Sequence, residues 1–362
     1  MKGFKKTYSL PFKFEIPNYT QEFLVKRSLF KSLFKYIKRC LYIFLKGQQS
    51  LETLKILDEH HKILWINFSA PSLGDSLMDL SSRVLLSDKK IDLLTDKKNE
   101  HLYKDDNIFS SIYSKIDDVV ENYYDLAIVD SYSTRSINIK HQVMPLTPFL
   151  GIYGHYNGPE VNRVLYSFHR VNSLLGHIKS ESEINKMAKC SISISTQDQS
   201  IIKKLLIPDE YIAIALGGDW EYRSYEDWPI VIEKLLIDNK QLNIVLLGSN
   251  NANDINKKIL EKFPSANILS YVDKLTFNQT AEIIKNAQLL LCCDGGLMHA
   301  ANAVSTKIIP LFARLQAEMQ LTQSCQAYPL FDSVNVNNIL VDDIILKYLE
   351  AASFDHNDLQ GE

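Results

Sequence analysis

The chain of 362 residues reads as an α/β protein made of two domains, each built on a parallel sheet. Three observations predict this. Short, wholly apolar runs of strand length alternate with segments of helical spacing, the pattern of strands buried on both faces and joined by crossing helices. The pattern starts twice, near residue 62 and near residue 211, and polar residues dominate between 180 and 208. Several apolar runs end in glycine turns, where the backbone of a parallel sheet swings into the next helix.

In chain order, residues 1–20 hold Pro11 and Pro17 with little periodicity and are expected to be irregular. Residues 21–46 read as one amphipathic helix. Phe23, Phe30, Leu33, Phe34, Ile37, Leu41 and Phe44 recur at helical spacing, and Arg27, Lys31, Lys35 and Lys38 share another face. Such a helix can lie on an anionic membrane surface, or its apolar face can pack on the body with solvated lysines. Residues 62–68 are a buried strand, followed by the turn Pro71-Ser72-Leu73-Gly74-Asp75 and a helix from Ser76 to about Leu86. Residues 90–94 and 124–130 read as further strands. Residues 131–160, rich in Ser, Pro, Gly and Tyr, are expected to line a cleft, and 160–190 to be helical.

The second pattern runs through a strand at Tyr211–Leu216, the loop Gly217-Gly218-Asp219-Trp220, a helix at 229–238 and a strand at Leu242–Gly248. Helices at about 252–263 and 276–286 flank a short strand at 266–269. The run Gln288–Cys293 is a buried strand, stopped by Asp294-Gly295-Gly296. Residues 297–304 suit a short helix of small residues, and Lys307–Phe312 another buried strand. This strand–turn–helix–strand unit brings a helix N-terminus, with free N–H groups, to the carboxyl edge of a sheet, where anionic ligands bind. By itself the turn could equally be structural. A helix at 340–352 closes the chain and is expected to cross back to the first domain.

Composition narrows the function classes. With 46% hydrophobic and 23% charged residues the chain resembles a soluble globular protein. No apolar run is long enough to span a membrane, and no secretory signal opens the sequence. The five cysteines have no metal-ligand spacing, Cys292-Cys293 reads as core, and the odd count fits a reducing cytoplasm. Charge is uneven: residues 1–50 carry eleven Lys/Arg against Glu15 and Glu22, a net +9, while the remainder nets −12. The basic residues sit on one apolar-faced helix and the body is acidic, which argues against nucleic acid.

Four stretches together resemble glycosyltransferase family 9, the ADP-heptose:lipopolysaccharide heptosyltransferases. They are Ser72-Leu73-Gly74-Asp75, Arg223 with Trp228-Pro229, Val245-Leu246-Leu247-Gly248, and Asp294-Gly295-Gly296-Leu297-Met298-His299-Ala300-Ala301-Asn302-Ala303 with Pro310-Leu311-Phe312. The likeness covers roughly residues 62–315. It implies a glycosyltransferase-B fold, two Rossmann-like domains facing a central cleft, with an acceptor domain at 56–185 and a nucleotide-sugar domain at 205–335. Residues 1–55 form an arm and 336–362 a C-terminal helix and tail. It implies inverting, metal-independent transfer from a nucleotide sugar, ADP-heptose by default, to a hydroxyl of a glycan or glycolipid acceptor. No cofactor is expected.

Carried over, Asp75 resembles the general base, with Ser72 and Gly74 on the acceptor side. Asp294 resembles the residue that holds the donor sugar's hydroxyls, and Gly295, Gly296 and His299 the diphosphate-side turn and helix. Arg223 resembles part of a phosphate-binding loop, alongside Gly217 and Gly218. The structural alternatives are an N-cap for Asp75, helix packing for His299 and a surface position for Arg223. The chain departs from the family in three places. Glu226-Asp227 stands where a lysine usually precedes Trp-Pro, Gly295 replaces a hydroxyl residue, and Ala313-Arg314 follows Leu311-Phe312 in place of glycine. Arg314 could restore the lost positive charge. The departures keep open a non-catalytic carbohydrate or nucleotide receptor, and a nucleotide-sugar epimerase on the same fold. The expected site of action is the cytoplasm, with peripheral membrane contact through residues 21–46.

Overall fold

The computed structural model describes residues 29–68, 70, 72–120, 123–155 and 162–358. The irregular segment expected at 1–20, the first part of the helix expected at 21–46 and Pro71 lie outside the described residues. Two compact units form: residues 1–190 with Thr322–Ser324, and Ser191–Leu321 with 325–362.

Unit 1 begins with helix α1 (Leu29–Leu45). Strand β1 (Lys62–Asn67), helix α2 (Leu73–Asp79), β2 (Lys90–Thr95), α3 (Lys97–Tyr103), β3 (Phe109–Tyr113), β4 (Leu126–Val129), α4 (Thr134–Val143) and β5 (Phe149–Gly151) follow. Helices α5 (Arg163–Leu174) and α6 (Glu181–Met187) complete it. The sheet order is β3-β2-β1-β4-β5. Every pairing is parallel, with β1 between β2 and β4.

Unit 2 runs α7 (Thr196–Lys203), β6 (Ile212–Ala215), α8 (Trp228–Asp238), β7 (Ile244–Leu247), α9 (Asn253–Lys262), β8 (Ile268–Ser270) and α10 (Phe277–Asn286). Then come β9 (Leu289–Cys293), α11 (Gly296–Val304), β10 (Ile308–Ala313), β11 (Leu330–Asp332) and α12 (Val341–Asp358). Its sheet is β11-β10-β9-β6-β7-β8, again all parallel. In both units the first strand is central and the order reverses beside it, between β1 and β4 and between β6 and β9. That reversal is the topological switch point, outside whose carboxyl ends ligands bind in such sheets.

The period-two alternation of the strands divides the core of unit 2 into two layers. Ile212, Ile214, Ile244, Leu246, Leu289, Leu291, Ile309 and Leu311 face one layer with Trp228 and Ile232 of α8. Ala213, Val245, Leu290, Cys292 and Phe312 face the other with Met298, Ala300 and Ala301 of α11. Both faces are dry, so the strands read as continuous apolar runs. Cys292 and Cys293 are core, as expected. Burial raises both thiols, Cys293 to about 12, so neither ionises near neutrality.

Several expectations change in detail. The helix expected from Ser76 starts at Leu73, because the Ser72 hydroxyl accepts the Asp75 N–H and caps it; a 3₁₀ turn at Ser81–Leu86 replaces its second half. The segment 131–160, for which no element was expected, contains α4 and β5. Strands β3, β5 and β11 were not expected; each is an edge strand of its sheet. The closing helix packs on α8 and β10 and belongs to unit 2.

Helix α1 reverses one of the two readings of the arm. Its polar side docks on unit 1: the Arg39 guanidinium donates to the His155 carbonyl at 3.2 Å and the Tyr42 hydroxyl to Asn138 Oδ1 at 3.0 Å. Ile43 joins the core. The apolar stripe faces away from the body.

Candidate functional site

In unit 1, β1 delivers the chain to the carboxyl edge beside the switch point, and Ser72 opens α2 there. Asp75 is therefore not the cap but a first-turn residue, and its carboxylate meets other side chains. Ser72 Oγ donates to Asp75 Oδ2 at 2.6 Å, and Arg163 Nη1 donates to Asp75 Oδ1 at 2.6 Å. Arg163, at the start of α5, also grips Asp79 one turn further along α2, with its Nε and Nη2 2.5–2.9 Å from the carboxylate oxygens. Asp79 is buried, whereas the side chain of Asp75 is 21% exposed, so only Asp75 presents an open carboxylate. Burial pushes the Asp79 carboxyl up to about 6, although Arg163 pulls the other way. Each Asp75 oxygen retains a lone pair beyond its one partner, enough to accept a substrate hydroxyl.

Gly74 lies buried in the first turn of α2, beside Asp75. A cavity of about 510 Å³ opens near the same edge, lined by Phe68, Ser114, Ile116, Arg135, Asn138 and Gln142 among others. Arg135 Nη1 donates to the Phe68 carbonyl at 3.1 Å and its Nη2 pairs with Asp96 at 2.9 Å; its side chain is 59% exposed.

In unit 2, β6 ends in Gly217-Gly218. Gly217 has φ +82°, the left-handed region that favours glycine. At Gly218 an added Cβ would come within 2.6 Å of the Arg223 carbonyl, so only glycine lets the loop close on the turn that carries Arg223. Arg223 Nη1 lies 3.1 Å from Asp294 Oδ2, an ion pair whose carboxylate is 2% exposed. Asp294 follows β9 directly, so the pair spans the switch point between β6 and β9. Tyr222 ties in the second predicted cation: the Arg314 guanidinium lies 3.8 Å from its ring centroid and the Arg223 guanidinium 5.3 Å. Arg314 itself sits at φ 68°, with Nε donating to the Val334 carbonyl at 3.2 Å.

Gly295 caps α11 without a side-chain hydrogen bond, at an extended φ of 173°. The N–H groups of the first turn of α11, from Gly296 on, face this end of the sheet. His299 is buried on α11, and its backbone N–H donates to the Gly295 carbonyl at 3.3 Å. Of the acidic pair in the lysine's place, Glu226 is exposed and its N–H is held by Asn337 Oδ1 at 2.8 Å. Trp228 is fully buried against Tyr225, so Trp-Pro is a structural start to α8. Among the described residues no group of three or more His, Cys, Asp or Glu is placed to hold a metal ion.

The structure thus gathers Ser72, Gly74 and Asp75 in unit 1, and Gly217, Gly218, Arg223, Asp294, Gly295 and Arg314 in unit 2. Sequence reasoning missed Arg163, Asp79 and Tyr222. Nothing local marks Arg163, which lies 88 positions from Asp75; Tyr222 was legible as an aromatic next to the loop arginine.

Comparison with known proteins bears on the family and the fold. The family model for glycosyltransferase family 9 (heptosyltransferase) matches residues 159–336. A search of curated proteins returns no match. Among solved structures, a glycosyl transferase family 9 protein from Veillonella parvula is 12% identical, with a TM-score of 0.66, over 82% of this chain and 97% of that one. The E. coli ADP-heptose lps heptosyltransferase II is 15% identical, with a TM-score of 0.63, over 82% of this chain and 99% of that one. E. coli heptosyltransferase WaaC with ADP-2-deoxy-2-fluoro heptose is 14% identical, with a TM-score of 0.61, over 80% and 99%. At such identities the likeness is one of fold, the α/β glycosyltransferase-B architecture.

Proposed function

We propose that this chain, whose residues 159–336 match the family model for glycosyltransferase family 9, is an inverting glycosyltransferase moving a sugar, heptose by default, from a nucleotide sugar to a hydroxyl of a cell-surface glycan or lipid-linked acceptor. The observation that carries the reading is the clustering of Arg223, Asp294 and Arg314 about Tyr222 beside the N-terminus of α11. The departing diphosphate needs positive charge and N–H donors, and this end of the sheet offers both.

In the proposed step the acceptor O–H gives its proton to Asp75 as its oxygen bonds to the anomeric carbon. The bond from that carbon to the diphosphate oxygen breaks, and the nucleoside diphosphate leaves with the electron pair. Arg163 and Ser72 hold the Asp75 carboxylate in one orientation. Arg223 and Arg314 take up the leaving charge, so the reading needs no metal. Asp294 holds sugar hydroxyls, and Arg223 fixes its orientation. The acceptor is placed on the unit 1 side, with the cavity at Phe68 and Arg135 as its first contact. Action at a membrane surface, through the basic arm, belongs to the same reading.

The test is incubation with a panel of nucleotide sugars and glycan acceptors, with chelator added to one arm. Transfer that survives the chelator is expected, and Asp75→Asn is expected to lower turnover about 10²–10⁴-fold with donor affinity little changed. A folded protein that neither transfers nor hydrolyses any donor would overturn the reading, and unchanged turnover in Asp75→Asn would remove Asp75 as the base. Product from donor alone would indicate an epimerase instead.

A further inference from the structure

Helix α1 is built inside out for a helix that packs on a soluble body. Tyr36, Arg39, Cys40 and Ile43 recur at helical spacing and meet unit 1. Arg39 and Ile43 are buried, and the Tyr36 ring lies 4.6 Å from that of His155. On the opposite side Phe30, Leu33, Phe34, Ile37, Leu41, Phe44 and Leu45 form one continuous stripe, each between 39 and 79% exposed. At 100° per residue, exposed Lys31, Lys35 and Lys38 fall in a row along one border of that stripe. Docking on unit 1 through polar groups holds the stripe outward, where seven large apolar side chains in water need a partner.

We propose that this stripe is a docking surface for a bilayer containing acidic phospholipids, with α1 lying in the plane of the interface. The stripe would enter the acyl boundary, and the lysine row would meet the anionic headgroups. The charge pattern selects this occupant. Residues 1–50 net +9 whereas the rest of the chain nets −12, so an anionic surface attracts the arm and repels the body. A second copy docked antiparallel would set lysine row against lysine row. No helix among the described residues is long and apolar enough to cross a membrane, so the contact is peripheral. The inference rests on the membrane part of the proposed function only for its purpose; its observations are those of α1.

The test is co-sedimentation of the full chain with vesicles of phosphatidylcholine alone and of phosphatidylcholine with phosphatidylglycerol. Binding to the anionic vesicles that weakens as salt rises is expected. Lys31, Lys35 and Lys38 changed together to Gln should lower it on the order of a hundredfold, each lysine near such a surface contributing about fivefold. Phe30→Ser with Phe34→Ser, Ile37→Ser and Leu41→Ser should abolish it, while far-ultraviolet dichroism and turnover of a water-soluble acceptor stay unchanged. No binding by the full chain, binding that either variant leaves intact, or a stable dimer in light scattering that the serine variant dissolves would overturn the proposal. Vesicle binding is read without nucleotide sugar, so a failure here is distinct from a failure to transfer.

Discussion

Gly295 shows how a single missing side chain is weighed in three dimensions. An added Cβ would find only the Cys293 carbonyl, at 4.0 Å, and the backbone there is extended, so a hydroxyl residue fits the position without strain. Its absence is a loss of one donor group, not a rearrangement of the turn. Gly295→Ser is expected to cap α11 and to raise nucleotide-sugar affinity about three- to tenfold, the worth of one added hydrogen bond, as measured by titration calorimetry. Unchanged affinity would show that the position does not face the ligand. Asp75 was legible as a carboxylate in a glycine turn, but not the company it keeps. Arg163 reaches it from α5, and only folding brings residues that far apart in sequence to 2.6 Å.

At the scale of elements, the long buried strands and their glycine turns were legible because a parallel sheet covered on both faces needs unbroken apolar runs. Strands β3, β5 and β11 were not: each is an edge strand, and none is a long unbroken apolar run. Helix α1 was legible as amphipathic, yet periodicity is silent on which face meets the body. Its docking hinges on His155, whose ring meets Tyr36 and lies 3.8 Å from Cys40 Sγ. Burial first, and then the Arg39 charge, lower the His155 pKa from 6.5 to about 4. Between those values the unfolded chain binds the proton and the folded chain does not, so this contribution to stability is present above pH 6.5 and is lost as pH falls towards 4. Urea unfolding at pH 7 and pH 5 is expected to show the loss, and His155→Gln to flatten the slope. An unaltered slope would mean that His155 does not titrate in this window.

For the whole molecule, each unit carries its own sheet and its own core, and the core of unit 2 has two layers separated by one sheet. Leu291, fully buried at the centre of β9, is expected to cost about 2–5 kcal/mol when changed to Ala, read from urea unfolding curves. A loss below about 1 kcal/mol would contradict a sheet packed on both faces. The sequence by itself determined the two-fold α/β plan, the strands that form the sheet centres and the turns that bear Asp75 and Asp294. These follow from local periodicity and from the turn residues that interrupt it, which each segment carries wherever it lies. Only the tertiary structure decided that Ser72, not Asp75, caps α2, that Arg163 holds the carboxylate, that Tyr222 gathers Arg223 and Arg314, and that the apolar stripe of α1 faces outward. Those depend on contacts between residues distant in the chain and on which of two faces is buried, and no local pattern encodes either.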